Sequence, residues 1–205
     1  MKGTCATLVL LGLAFLVLQA GCKPPAAPAT ETGATQPPAA ITSETPQQTE
    51  AGSWTLTSSA FLNEERIPTE YTQDGEGLSP PLSWTAPPEA AQELVLICDD
   101  PDAPSGTFTH WVLYGLDPQV KELPEGITTT PVVATPDLKQ GMNSAHRVGY
   151  AGPAPPPGKV HHYHFTLYAA GAELNLTPSL GKQDVLKAME GQILAQTEIV
   201  GAYSR

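Results

Sequence analysis

Three groups of ionisable side chains in this sequence have the types and spacing to do chemistry. Asp99, Asp100 and Asp102 fall in the run DDPDAP, and His110 directly precedes the apolar run WVLY. His161, His162 and His164 open the run HHYHFTLYAA, just after the loop GPAPPPGK. An acid beside a histidine raises the histidine's pKa, and the resulting imidazolium lowers the acid's. Together such groups bind a phosphate-bearing or zwitterionic ligand. Imidazolium and backbone N–H groups take the anion, and a carboxylate takes an amine. A second chemistry is open to the same residues. His162 and His164 are two apart on one strand face, a spacing that places two imidazoles on one zinc. With His161 and the Asp cluster as further ligands, that would be a metal-dependent hydrolase. Ser105 and Thr109 lie near His110, but sequence adjacency does not assemble a base, a nucleophile and an oxyanion hole. The leading expectation is therefore a binding site with no catalytic residue, and the hydrolase is the alternative.

These groups need rigid elements to hold them, and strand ends are where a scaffold presents functional side chains. Residues 94–98 (LVLIC) form a short continuous apolar run bounded by DDPDAP, which reads as a central strand buried on both faces. Residues 111–114 (WVLY) form a second such run. Cys98 then reads as an inert core thiol. In residues 161–170, His161, Tyr163, Phe165 and Leu167 share one strand face, while His162, His164, Thr166 and Tyr168 share the other. Four prolines stiffen the loop before it. WTLTSSAF (54–61) alternates as a weak strand. Over residues 182–196, Val185, Leu186, Met189 and Ile193 fall at helical spacing, and Asp184 favours the N-terminal end. Gly191 weakens that helix by about 1 kcal/mol relative to Ala. The final TEIVGAYSR, with Ile199, Gly201 and Tyr203 on one side, reads as a closing strand.

The chain has 205 residues and a formal net charge of −11. So acidic a surface disfavours nonspecific nucleic-acid binding and leaves room for a local anion site. Lys2, the apolar run of residues 8–18 and the small residues before Cys22 have the layout of a secretory signal over residues 1–21. That run is shorter than the roughly 20 apolar residues a spanning helix needs. Ala20-Gly21-Cys22 resembles a bacterial lipoprotein processing box, with Gln19 where that box usually has Leu. The expectation is an exported protein, lipid-anchored through Cys22 at the cell envelope, on its periplasmic or extracellular face. Residues 22–52 are rich in Pro, Ala and Thr and read as a disordered tether. Residues 53–205 then hold a single domain, large enough for one core. With Cys5 in the signal and Cys22 acylated, Cys98 stands alone, so no intrachain disulfide is expected. No dinucleotide fingerprint, phosphate-binding loop or paired CxxC is present, and no cofactor is expected.

DPDAP (100–104), THWVLYGL (109–116) and GPAPPPG (152–158) followed by His161 and Tyr163 together resemble the signature of the phosphatidylethanolamine-binding protein family, closest to its bacterial Raf kinase inhibitor-like branch. DGEGLSPPLSW (74–84), LPEG (123–126), GMN (141–143) and the final GAYSR add to the resemblance, which spans about residues 55–205. It implies a mainly β fold: a large antiparallel sheet, a second smaller sheet and a C-terminal helix. It also implies a small anion pocket for phosphate or a phospholipid head group. Asp100, Pro101, Asp102 and His110 would form one side, and Pro155, Pro156 and His161 the other. Relatives that bind and inhibit kinases or proteases extend the implied partners to a protein. Two positions depart from the family pattern. His162 stands where Arg is common, and Gln73 where bacterial relatives often have a cysteine. The first exchanges a permanently charged fork for an imidazole.

Overall fold

A computed structural model of the chain describes residues 53–205. The expected signal segment, the acyl site at Cys22 and the tether lie outside the described residues. In chain order the elements are β1 (Leu56–Thr57), β2 (Leu82–Trp84), β3 (Glu93–Asp100), β4 (Phe108–Leu116), β5 (Glu122–Leu123), β6 (Val132–Ala134), β7 (Asp137–Gln140), β8 (Val160–Ala170), α1 (Lys182–Met189) and β9 (Ile193–Ser204). They form a six-stranded sheet in the order β6-β7-β4-β3-β8-β9 and a three-stranded sheet in the order β1-β2-β5. All of the named pairings are antiparallel. A mainly β fold with two sheets and one helix is thus what the resemblance implied.

Alternation along β3 explains the layers. Leu94, Leu96 and Cys98 enter one core cluster with Leu82, Trp84, Trp111, Tyr163 and Phe165. Val95 and Ile97 enter another with Val112, Tyr114 and the helix residues Val185 and Met189. Both faces of β3 are therefore dry, as a continuous apolar run requires. Each such Leu or Ile contributes roughly 1.5–3 kcal/mol by leaving water. Cys98 is fully buried and free, and burial pushes its thiol well above the ordinary range. Lys182 Nζ lies 2.6 Å from Asp99 Oδ2, which ties the first turn of α1 to β3 on the helix-covered face.

Two expectations change. The strand expected over residues 54–61 pairs only at Leu56 and Thr57. The helix expected through residue 196 ends at Met189, and Ile193 already belongs to β9, paired with Ala170. The break is at Gly191, whose φ of 72° lies in the left-handed region and reverses the chain. Ile193 falls at helical spacing by coincidence and is 44% exposed on the strand. Further along β9, Ile199, Gly201 and Tyr203 face inward as their alternation suggested.

Candidate functional site

An irregularity in the β3–β4 ladder builds the site. Cys98 pairs with Trp111, but the next residue, Asp99, pairs with Thr109. His110 is the extra residue of a β-bulge, a device that re-aims side chains. In a regular strand His110 and Trp111 would point to opposite faces. Here Trp111 joins the larger core cluster, and His110 lines a cavity together with Asp100 and Phe108. Thr109 points the other way, and its hydroxyl donates to Asp99 Oδ1 at 2.7 Å.

The cavity has a volume of about 260 Å³. Ala103, Pro104 and Phe108 form one wall, and Ala154, Pro155 and Pro156 face them. Asp100, His110, His161, Tyr163 and Gln73 supply its polar groups. Asp100 is its hub and is only 3% exposed. Its Oδ1 accepts the Asp102 backbone N–H at 2.8 Å. Its Oδ2 accepts His161 Nδ1–H at 2.7 Å, which leaves Nε2 as the His161 nitrogen on offer to a ligand. His110 Nε2 is 4.0 Å from the same oxygen, beyond hydrogen-bonding distance. His110 Nδ1–H donates to the Ala151 carbonyl. Burial holds the His110 pKa below its ordinary value and outweighs that bond and the pull of Asp100. His110 is therefore a neutral imidazole with its proton on Nδ1, packed against Phe108 and edge-on to Tyr163.

Tyr163 is 1% exposed, and its hydroxyl is buried with no hydrogen-bond partner. The Ala154 N–H is near enough to act on the phenol but does not reach bonding geometry. Burial raises the phenol's pKa, so the group stays a donor.

The proline-rich wall is fixed by close backbone contact. A Cβ on Gly152 would sit 2.9 Å from the Thr72 carbonyl carbon, so only glycine lets this segment lie against residues 72–73. Gln73 N–H then donates to the Pro153 carbonyl at 3.0 Å, and Gln73 Nε2 donates to the Gly152 carbonyl at 3.2 Å.

Of the residues expected at the pocket, Asp100, His110, Pro155, Pro156 and His161 line the cavity. Pro101 and Asp102 sit in the turn after β3 and are not among its lining residues. Asp102 instead extends the ladder with its side chain. β3–β8 pairing ends at Asp99–His164, and Asp102 Oδ2 accepts both the His162 backbone N–H at 2.9 Å and His162 Nδ1 at 2.7 Å. The hydrogen bond from His162 holds the Asp102 carboxyl below its ordinary pKa. His164 turns to a different acid, Glu198, at 3.3 Å. The three histidines thus diverge, each toward its own carboxylate. Among the described residues there is no group of three or more His, Cys, Asp or Glu placed to hold a metal ion.

The family model described as phosphatidylethanolamine-binding protein matches residues 57–204. The chain belongs to the phosphatidylethanolamine-binding protein family. A UPF0098 protein of Methanothermobacter thermautotrophicus is 46% identical over 150 residues, covering 73% of this chain and 98% of that one. A crystallised phosphatidylethanolamine-binding protein homologue of Chlamydia trachomatis superposes with a TM-score of 0.68 at 38% identity, covering 74% of this chain and 97% of the other. Escherichia coli YbcL, a further member, gives 0.66 at 25% identity, with 74% and 98% covered.

Of the two departures from the phosphatidylethanolamine-binding protein pattern, one lies at the cavity and one beside it. His162 makes the latch to Asp102, and Gln73 lines the cavity directly. Tyr163, Phe108 and Gln73 escaped the sequence-based list of pocket residues. Tyr163 had a signal, since it shares a strand face with His161. Phe108 had none, because its position opposite Asp100 is a matter of register.

Proposed function

We propose that residues 53–205 form a non-catalytic binding domain whose cavity takes a small oxyanion, as phosphate or a phosphate-bearing head group. The observation that carries this reading is the Tyr163 hydroxyl, a buried donor without a partner on a residue that lines the same cavity as His161. An oxyanion accepts from both when the imidazole is protonated, and charge-assisted bonds of that kind are the stronger class. Apolar walls of Ala, Pro and Phe lower the local dielectric and strengthen each bond. Asp100 orients His161 and leaves Nε2 for the ligand. A protein partner with a phosphorylated side chain, kinase- or protease-like in the family's manner, would present the same oxyanion. The proposal extends to location: an exported domain, held to a membrane by acyl chains on Cys22, with residues 22–52 as spacer. Sequence alone supports that part.

Calorimetric titration with phosphate and with phosphoethanolamine tests the reading. His161→Ala abolishes binding of both. Unchanged affinity in His161→Ala would overturn it.

A further inference from the structure

A second, larger cavity of about 640 Å³ adjoins the first. Gln73 lines both. The segment after Tyr150 is a wall to each: Ala151 and Gly152 face the second cavity, and Ala154, Pro155 and Pro156 face the first. The chemistry changes across Gln73. The first cavity is walled by Pro, Ala and Phe, whereas the second presents Arg147, Glu76, Thr129 and backbone at three glycines.

Arg147 belongs to none of the ion pairs among the described residues, and neither does Glu76. Yet the backbone that carries Arg147 is firmly held. Asn143 is 5% exposed, and its Oδ1 accepts from the N–H groups of Ala145 at 3.0 Å and Arg147 at 3.2 Å. Its Nδ2 donates to the Gly149 carbonyl at 3.0 Å, and its own N–H donates to the Arg147 carbonyl at 2.8 Å. His146, just before Arg147, is forced to a φ of 57°. Such a conformation costs a non-glycine residue about 1–3 kcal/mol and persists only where the surroundings impose it. The backbone at Arg147 is thus fixed, and its exposed side chain lines this cavity. The nearby acid Asp74 does not compete for it, being bound by Arg205 and Tyr203.

We propose that the second cavity is a subsite for the distal carboxylate of an elongated phosphate ester whose phosphate sits in the first cavity, an inference that rests on the oxyanion reading above. Arg147 takes the carboxylate through its planar fork. Glu76, in the same cavity, accepts from a hydroxyl or ammonium next to that carboxylate, and so selects a hydroxy acid or amino acid over a bare anion. The two cavities, which share Gln73 as a wall, then discriminate by length, since a short phosphate monoester fills only one.

Calorimetry on the purified protein at constant ionic strength is the test, with methyl phosphate against phosphate monoesters that carry a distal α-hydroxy carboxylate on spacers of increasing length. One spacer length binds about fivefold more tightly than methyl phosphate, as expected for a largely exposed guanidinium–carboxylate pair. Arg147→Gln removes that gain and leaves methyl phosphate affinity unchanged, while Arg66→Gln, a control for general charge, preserves it. Equal affinity at every length, or a gain that survives Arg147→Gln, overturns the subsite and leaves the first cavity standing. Absence of all binding, methyl phosphate included, overturns the oxyanion reading and the subsite with it.

Discussion

Asp100 and His161 are 61 residues apart, and their side chains meet at 2.7 Å in the interior. No ladder pairing joins them, because the β3–β8 register runs out at Asp99–His164. The contact is made by side chains alone, just past the last paired rung, where β3 turns away and β8 continues toward the proline-rich loop. Asp100 spends one oxygen on the turn and the other on the imidazole. It therefore couples the shape of the DPDAP turn to the orientation of His161.

Asp100→Asn tests that coupling. The amide keeps one acceptor oxygen but turns an N–H₂ toward a second donor, so one of the two partners is left unpaired in a buried place. A loss of about 1–3 kcal/mol in urea unfolding at neutral pH is expected, with phosphate affinity reduced because His161 is no longer fixed. Stability unchanged to within a few tenths of a kcal/mol would mean that the two bonds are not both present in the free protein.

Tyr163→Phe separates ligand binding from stability. Deleting a buried hydroxyl that has no partner removes its desolvation cost, so the free protein should be as stable as the parent or more stable by about 1 kcal/mol. Phosphate should bind about tenfold more weakly, the equivalent of one good donor. If the variant loses stability without ligand, the hydroxyl has a partner in the free protein and the argument for an open donor fails.

What the sequence disclosed and what it hid divide along physical lines. Runs buried on both faces, such as residues 94–98, are visible because burial leaves no polar position in the pattern. The alternation of residues 161–170 placed His161 inward and His162 outward correctly, since strand period is local. The bulge at His110 was invisible, because an extra residue in a ladder depends on a partner strand. The parting of Asp99 to α1 and Lys182 from Asp100 to the cavity, by contrast, continues the alternation of Leu94, Leu96 and Cys98 against Val95 and Ile97. The role of Asp102 was hidden for the same cause as the bulge: it replaces a missing rung of backbone pairing. The early end of the helix was signalled by Gly191, but its spacing with Ile193 pointed the other way, and strand pairing decided it.

His110 should impose an acid sensitivity of its own. Burial holds its pKa below the ordinary 6.5. Above that pH both folded and unfolded chains carry it neutral, and it adds no pH dependence. Below 6.5 the unfolded chain takes up a proton that the folded chain refuses, so stability falls with falling pH and levels off past the folded pKa. Asp74 and Asp102 act in a lower window. Their carboxyls are held below the ordinary 3.8, the first by Arg205 and the second by His162, so their stabilisation is present above 3.8 and lost as pH falls through their folded values. Urea midpoints measured from about pH 7.5 to about pH 4.5 should fall in the parent and fall less in His110→Asn, which retains an N–H for the Ala151 carbonyl. Parallel curves for the two proteins would show that His110 is not the group responsible.

Gly191→Ala asks why the helix stops where it does. A Cβ at this position meets nothing within 4 Å, so the substitution introduces no clash, and its only cost is the left-handed φ of 72°. That cost is about 1–2 kcal/mol for an L-residue, and less for Asn, which tolerates the conformation. If spacing ruled, alanine would let the helix run on through Ile193. It cannot do so cheaply, because Ile193 is paired with Ala170 and the Gln192 carbonyl accepts the Gly171 N–H at 2.8 Å. The expected outcome is a loss of about 1 kcal/mol in urea unfolding for Gly191→Ala, a smaller loss for Gly191→Asn, and unchanged helical circular dichroism in both. A gain in helical signal with alanine would show that the glycine, and not the pairing of β9 with β8, holds the boundary.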